Sequence, residues 1–114
     1  MADVDVSVLN NSIYYVDVIG RIDSSNASEL GDVLTELTAQ DNPHLLVGLS
    51  SVEYMSSAGL RELVGAFKHA HNKGGDVRLC APSDRVRDVL TLAGLTSIFQ
   101  IYDDLDEALD DFIV

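Results

Sequence analysis

The chain is poor in the residues that define several classes of protein. Its 114 residues include no tryptophan, two prolines, one cysteine and seven lysines or arginines. Because Cys80 is the single cysteine, no intramolecular disulfide can form, and its place in the strand-like run 77–81 predicts a buried core thiol. No apolar run approaches the roughly 20 residues that span a bilayer, and no basic region precedes a signal-peptide core. We therefore expect a cytoplasmic protein that does not enter the membrane.

The scarcity of basic residues also restricts the partners. Nineteen acidic residues against seven basic ones give a formal net charge of −12. Nucleic acid requires Lys and Arg contacts to its phosphates, and an anionic membrane surface repels such a chain, so we expect neither as a partner. A protein with a basic face would be attracted instead. The alternative is that the acidity only keeps a small domain soluble. In either case we expect a monomer when the protein is free.

The N-terminal residues alternate in polarity. Val4, Val6 and Val8 fall on one face of an extended segment, with acidic or polar residues between them, which predicts a half-buried strand. The pair Asn10-Asn11 is a candidate turn, and a second strand-like run follows over residues 12–21. This spacing predicts a β-hairpin.

After the hairpin, strand-like runs alternate with helical stripes. Apolar residues make up 46% of the chain, which is enough for one core. The pattern predicts an α/β fold: a single domain over residues 1–114, with a mixed sheet of four to five strands, about four helices, and the N-terminal hairpin followed by βαβ units. The strand-like runs are 44–49, 77–81 and 98–102, and the helical stripes are Leu30-Val33-Leu34-Leu37, Leu60-Leu63-Val64-Phe67, Val86-Val89-Leu90-Ala93 and Leu105-Ala108-Leu109-Phe112.

Polar residues and glycines mark the ends of these helices. Ser25 or Asn26 is placed to cap the first helix, and Ser83 is placed to start the third. The Gly74-Gly75 pair stops the second helix by offering a left-handed position at its C-terminus.

Two adjacent hydroxyls, those of Ser56 and Ser57, stand where a loop after the third strand becomes the second helix. Four unpaired backbone N–H groups and the positive end of the helix dipole lie at such a place. A hydroxyl there can cap the helix, and a phosphate attached to it would meet a favourable field. The residues alone leave both roles open, an ordinary capping serine or a phosphoacceptor.

Other chemistry is poorly supported by the pattern. The turn lacks the G-x-S-x-G arrangement of a nucleophile elbow, and nothing in the spacing places His44, His69 or His71 beside Ser57 as a base. His69 and His71 are two residues apart on a helix and face in different directions, so they do not form a metal site. The acidic C-terminal residues lack calcium-loop spacing and are expected on the solvated face of the last helix.

The ordered motifs resemble those of the STAS domain, in its bacterial anti-sigma factor antagonist type. The similarity covers nearly the whole chain. It is carried by Gly20-Arg21-Ile22-Asp23 with Ala27 and Leu30, by Tyr54-Met55-Ser56-Ser57-Ala58-Gly59-Leu60, by Gly74-Gly75 and by Ala93-Gly94-Leu95. Aligned on the serine loop, the family's phosphorylated serine falls on Ser57, and Ser56 replaces the family's usual Asp, which makes Ser56 an alternative acceptor.

The resemblance implies a function as well as a fold. Proteins of this type bind an anti-sigma factor, a serine kinase with a histidine-kinase-like ATPase fold, and thereby free a sigma factor. The kinase phosphorylates the antagonist with ATP, and a PP2C-type phosphatase removes the phosphate. The chain would then be a substrate and not an enzyme, with no cofactor and no metal of its own, since ATP belongs to the kinase. The partner-binding residues implied are Asp23, Ser24, Ser25, Ser56, Ser57, Arg61 and Glu62.

The resemblance also implies an alternative function. Some STAS domains act without a phosphorylation switch, as a scaffold or as a regulatory subunit associated with a transporter. Ser56 in place of Asp favours this alternative. Asp23 and Ser24 likewise have an alternative role as residues at the entry to the first helix.

Overall fold

Strands and helices alternate along the chain after an N-terminal hairpin. The structure is a computed structural model that describes residues 3–10 and 12–112. Its elements are β1 Asp3–Leu9, β2 Ile13–Ile22, α1 Ala27–Thr38, β3 His44–Met55, α2 Ser57–Asn72, β4 Asp76–Cys80, α3 Asp84–Leu92, a 3-10 helix Leu95–Ser97, β5 Ile101–Tyr102 and α4 Leu105–Asp111.

The five strands form one mixed sheet in the order β1-β2-β3-β4-β5. β1 and β2 are antiparallel, and every later pair is parallel. The predicted α/β domain, with its hairpin followed by βαβ units, is therefore confirmed. Because β2 to β5 run in one direction, their carboxyl ends share one edge, and this edge is also where α1, α2 and α3 begin.

The two faces of the sheet carry separate apolar clusters. Alternate residues of β3 separate them: Leu45, Val47 and Leu49 pack with α1, α2 and α3, whereas Leu46 packs with α4. Cys80 is fully buried in the α4 cluster, as predicted. No helix within the described residues is long and apolar enough to cross a bilayer.

Two predicted helix boundaries are confirmed, the end of α2 and the start of α3. Gly74 ends α2 at a φ of +83°, a left-handed conformation that costs glycine little. The Gly75 N–H then donates to the Ala70 carbonyl at 2.8 Å. At the start of α3, the Ser83 hydroxyl accepts from the Val86 N–H at 3.2 Å.

Two predicted strands differ from the observed ones. The valine face of β1 was expected to be half-buried, but Val6 is 43% and Val8 55% exposed. The reason is that β1 is the edge strand, with β2 on one side only. The last strand is limited to Ile101–Tyr102, because the 3-10 helix and the turn after it occupy the preceding residues. In the hairpin turn Asn10 has a positive φ of 52°, while Asn11 lies outside the described residues.

Candidate functional site

The serine segment follows directly on a long strand. β3 continues to Met55, six residues beyond the predicted end at Leu49, because its polar second half pairs with the end of β2. The register brings Ile22 beside Met55, and the Ser56 N–H donates to the Ile22 carbonyl at 2.9 Å. The loop predicted before α2 therefore consists of one residue, Ser56. Its hydrogen bond to Ile22 connects the carboxyl ends of β2 and β3 at the sheet edge where α2 begins.

Ser56 occupies the N-cap position of α2 without capping it through its side chain. Its backbone is extended, with φ −83° and ψ 172°, and its carbonyl accepts from the Leu60 N–H at 3.1 Å. The Ser56 Oγ is buried and has no hydrogen-bond partner among the described residues. The prediction that a serine hydroxyl caps this helix is thus wrong for Ser56, because the hydroxyl is packed inside. The N–H groups of the first turn of α2 receive no side-chain cap from it.

Ser57 is the first residue of α2 and is exposed. The first turn of α2 contains no acidic residue, so the positive end of the helix dipole is not offset within that turn. An anionic group on the Ser57 hydroxyl would lie in this favourable field.

Gly59 fixes where the start of α2 lies. A methyl group in place of its hydrogen would come within 2.7 Å of Ile22 Cγ2 and 2.9 Å of Met55 Cγ. The helix can therefore lie directly on the ends of β2 and β3 only because residue 59 has no side chain. The buried Leu60 anchors the same turn in the core. Ser57 therefore lies on a helical turn that is packed closely against the sheet.

The turn between β2 and α1 is held by its own polar side chains. Buried Asn26 accepts from the Asp23 N–H at 2.9 Å and donates through Nδ2 to the Arg21 carbonyl at 2.7 Å. The backbone N–H of Ser25 donates to Asp23 Oδ1 at 2.9 Å, and so does its hydroxyl. These Ser25 bonds lower the pKa of Asp23, whose carboxylate therefore stays ionised.

Helix entry here differs from the capping expected of Ser25 or Asn26. Asn26 stands at the N-cap position of α1, but its side chain bonds the turn and not the helix. The Asp23 carbonyl accepts from the N–H of Ala27 at 2.9 Å, which agrees with a helix-entry role for Asp23. Ser24 lies in the turn and is exposed.

One basic residue at this edge was not among the predicted site residues. Arg21 lies opposite Tyr54 in the β2–β3 register, and its Cζ is 4.7 Å from the centre of the Tyr54 ring. A cation over an aromatic face is held by the ring quadrupole. Arg21 is exposed and precedes Ile22, whose carbonyl binds the Ser56 N–H. Only the strand register identifies this pair, because 33 positions separate the two residues in the sequence.

The other two predicted partner-binding residues of α2, after Ser57, differ in their surroundings. Arg61 is exposed. Glu62 is half-buried, and its carboxylate packs against Gly31 of α1. The edge thus brings the Asp23–Ser25 turn, Ser56 and Ser57 together, while Glu62 lies in the groove between α1 and α2.

The three histidines have local partners. His71 Nε2 is 2.8 Å from Asp76 Oδ1, and His69 Nδ1 is 3.2 Å from Thr38 Oγ1. The His44 ring lies 5.8 Å from that of Phe112, on the α4 side of the sheet. Within residues 3–10 and 12–112, no group of three or more His, Cys, Asp or Glu residues could hold a metal ion.

Comparison with known proteins places the chain in a family. The STAS domain family profile matches residues 6–108. An anti-sigma-B factor antagonist of Bacillus subtilis is 35% identical over 99 residues, which is 87% of this chain and 89% of that protein. The crystal structure of an anti-sigma factor antagonist from Mycobacterium paratuberculosis has a TM-score of 0.87 at 28% identity, covering 96% of this chain and 92% of that one.

A more distant structure shares the fold. Unphosphorylated SpoIIAA, an anti-sigma factor antagonist, has a TM-score of 0.78 at 17% identity and covers 95% of this chain and 94% of its own. With the family profile matched over most of its length, the chain belongs to the STAS domain family.

Proposed function

We propose that this protein is an anti-sigma factor antagonist. Its unphosphorylated form binds an anti-sigma factor serine kinase and so frees a sigma factor, and phosphorylation at Ser57 switches it off. A PP2C-type phosphatase restores the active form. ATP is bound by the kinase, so the protein needs no cofactor and acts as a substrate and not as an enzyme. Its similarity to antagonists from Bacillus subtilis and Mycobacterium paratuberculosis supports this function.

The observation that carries the proposal is the exposed Ser57 hydroxyl on the first residue of α2. A phosphate there would add ~1.5–2 negative charges at neutral pH. The helix dipole offsets part of this charge, so the domain itself tolerates it. A partner docked over the edge would have to face or bury the phosphate, and binding would be lost without unfolding.

The same geometry supports Ser57 over Ser56 as the acceptor. A kinase must bring the γ-phosphate of ATP into line with the attacking hydroxyl oxygen. The Ser57 side chain is exposed, whereas the Ser56 Oγ is buried. The proposed docking surface comprises Asp23, Ser24, Ser25, Ser56, Ser57, Arg61 and Glu62, and the position of Arg21 adds it to this surface.

Incubation with the cognate anti-sigma kinase and ATP tests the switch. We expect the intact mass to rise by one phosphate in the wild type and in Ser56→Ala, and to stay unchanged in Ser57→Ala. A wild type that gains no phosphate would contradict the switch and favour the alternative, a STAS module that acts without phosphorylation. A shift that persists in Ser57→Ala but disappears in Ser56→Ala would move the site and keep the function.

A charge mimic in the same experiment tests the effect on binding. Ser57→Asp should weaken capture of the anti-sigma factor while keeping the melting temperature within a few degrees, since an acid at a helix start changes stability by only ~0.3–1 kcal/mol. Ser12→Asp, with the same added charge in the exposed hairpin turn at the opposite edge, serves as the control. Equal affinity for Ser57→Asp and the control would count against the mechanism.

A further inference from the structure

Gly65 lies in the interior of α2, where the fold does not explain it. Glycine is the least favourable helix residue after proline. A methyl group at Gly65 would meet no atom of the described residues within 4 Å beyond its own stretch of helix, whereas one at Gly59 would clash with Ile22 and Met55. Gly65 is exposed, so packing within the described chain gives no reason for its missing side chain.

Gly65 lines a groove of about 160 Å³ between α1 and α2. Gly31 lines the same groove from α1, but the Glu62 carboxylate occupies the space beside it, so the open space lies at Gly65. The groove is also lined by Thr35, Thr38, Glu62 and His69.

The polar side chains of the groove leave one charge unbalanced. Buried Thr38 is satisfied, because its hydroxyl donates to the Leu34 carbonyl at 2.7 Å and lies 3.2 Å from His69 Nδ1. Glu62 is half-buried against Gly31 and forms no ion pair with another described residue. A half-buried carboxylate without a counter-ion attracts a cation beside it.

We propose that this groove receives a lysine or arginine side chain of the anti-sigma factor, with Glu62 as its counter-ion and Gly65 leaving room for its aliphatic part. The inference rests on the proposed function, which supplies the partner. Gly65 follows Ser57 by eight residues, about 12 Å along the helix axis, so one partner surface can cover both. Charge complementarity selects the occupant, since the chain carries a net charge of −12.

Substitution of Gly65 separates this role from a structural one. Gly65→Ala should raise the melting temperature by roughly 3–6 °C, because alanine is the better helix former. The same variant should bind the purified anti-sigma factor several-fold more weakly, and Gly65→Leu, which fills more of the groove, roughly tenfold or more weakly. If Gly65 makes no contact with the anti-sigma factor, Gly65→Ala should raise the melting temperature without weakening binding.

Two further variants sharpen the measurement. Lys68→Leu adds a leucine at an exposed position of α2 that does not line the groove. This control should bind the anti-sigma factor about as tightly as the wild type does, in contrast to Gly65→Leu. Glu62→Gln keeps the side-chain shape and should weaken binding while reducing its dependence on salt.

Each outcome has a distinct meaning. Wild-type affinity in Gly65→Leu would overturn the groove as a contact, and a lower melting temperature in Gly65→Ala would overturn the premise that the fold does not need this glycine. Wild-type affinity and salt dependence in Glu62→Gln would overturn the cationic occupant. A wild-type protein that fails to bind the anti-sigma factor would instead overturn the proposed function, which the Gly65 variants leave unaddressed.

Discussion

Ala81 adopts a backbone conformation that is costly for its side chain. Its φ is +57°, and the other described non-glycine residues with positive φ are both asparagines, Asn10 and Asn42. The residue also precedes Pro82, which favours extended backbone. A hydrogen bond from the Ala81 N–H to the Tyr102 carbonyl, at 2.8 Å, holds it in place just beyond β4.

We expect Ala81→Gly to stabilise the protein. The left-handed conformation costs an L-residue roughly 1–2 kcal/mol. Glycine avoids this cost but loses more conformational entropy on folding, so the free energy of unfolding should rise by about 0.5–1 kcal/mol. Urea denaturation measures it as a higher midpoint at unchanged slope. Ala93→Gly, at a helix end with an ordinary φ of −81°, is the control and should not stabilise. A lower midpoint for Ala81→Gly would contradict the assignment of strain.

At the scale of elements, the hairpin carries an unfavourable pair. Asp17 of β2 lies directly opposite Asp5 of β1. Burial raises the pKa of Asp17, and the charge of Asp5 raises it further. Because the pKa is raised in the folded state, ionisation of Asp17 opposes folding, and stability falls as the pH rises through the raised pKa.

Asp17→Asn should therefore be more stable than the wild type at pH 7, by about 0.2–1 kcal/mol for relief of a like-charge cross-strand pair. The advantage should shrink as the pH is lowered below the raised pKa, where the wild-type carboxyl is already protonated. Thermal unfolding between pH 3 and 8 measures this. Asp3→Asn makes the same change in net charge but faces Ile19, so it separates the pair from the general acidity. A constant difference between Asp17→Asn and wild type across this range would contradict the explanation.

Local patterns predicted the elements better than they predicted the contacts between them. The periodicity of α2, the glycine stop at Gly74 and the serine cap at Ser83 are properties of neighbouring residues, and the structure confirms them. The extension of β3 to Met55 depends on pairing with β2, and its polar residues gave no sign of it.

The candidate site shows the same division. Motif resemblance suggested Ser57 and the Asp23 turn as site residues, which stays a prediction, whereas the burial of the Ser56 hydroxyl depends on how α2 packs. The Gly31–Glu62 contact joins residues from two helices, so no spacing rule could have indicated it.

At the scale of the whole molecule, α4 covers the second face of the sheet through both apolar and polar contacts. Phe112 is buried, and the Arg78 Cζ lies 4.3 Å from the centre of its ring. Arg78 donates to the Tyr102 hydroxyl at 2.7 Å, which in turn donates to Asp111 Oδ2 at 2.6 Å. Arg78 also donates to Asp76 Oδ2 at 2.9 Å. One arginine thus connects β4, β5 and the C-terminal helix.

Removal of the buried Phe112 side chain should detach α4 from the sheet. Phe112→Ala is expected to cost roughly 3–5 kcal/mol, the range for removing a buried phenylalanine side chain. Cys80 lies in the same cluster, and burial raises the pKa of its thiol to about 11, so labelling by a thiol reagent should be slow in the wild type and faster in the variant. Leu92→Ala, at a leucine 88% exposed, is the control. Unchanged labelling and stability in Phe112→Ala would show that α4 is not needed to cover the sheet.

The absence of a side chain at Gly59 affects the kinetics with which a partner would bind. Because the start of α2 packs directly on the ends of β2 and β3, we expect little backbone rearrangement at the proposed docking surface around Ser57 when a partner binds. Binding then spends little free energy on ordering the backbone, and rigid-body docking is the appropriate description. Variants of this surface should consequently differ in the lifetime of the complex more than in the rate at which it forms.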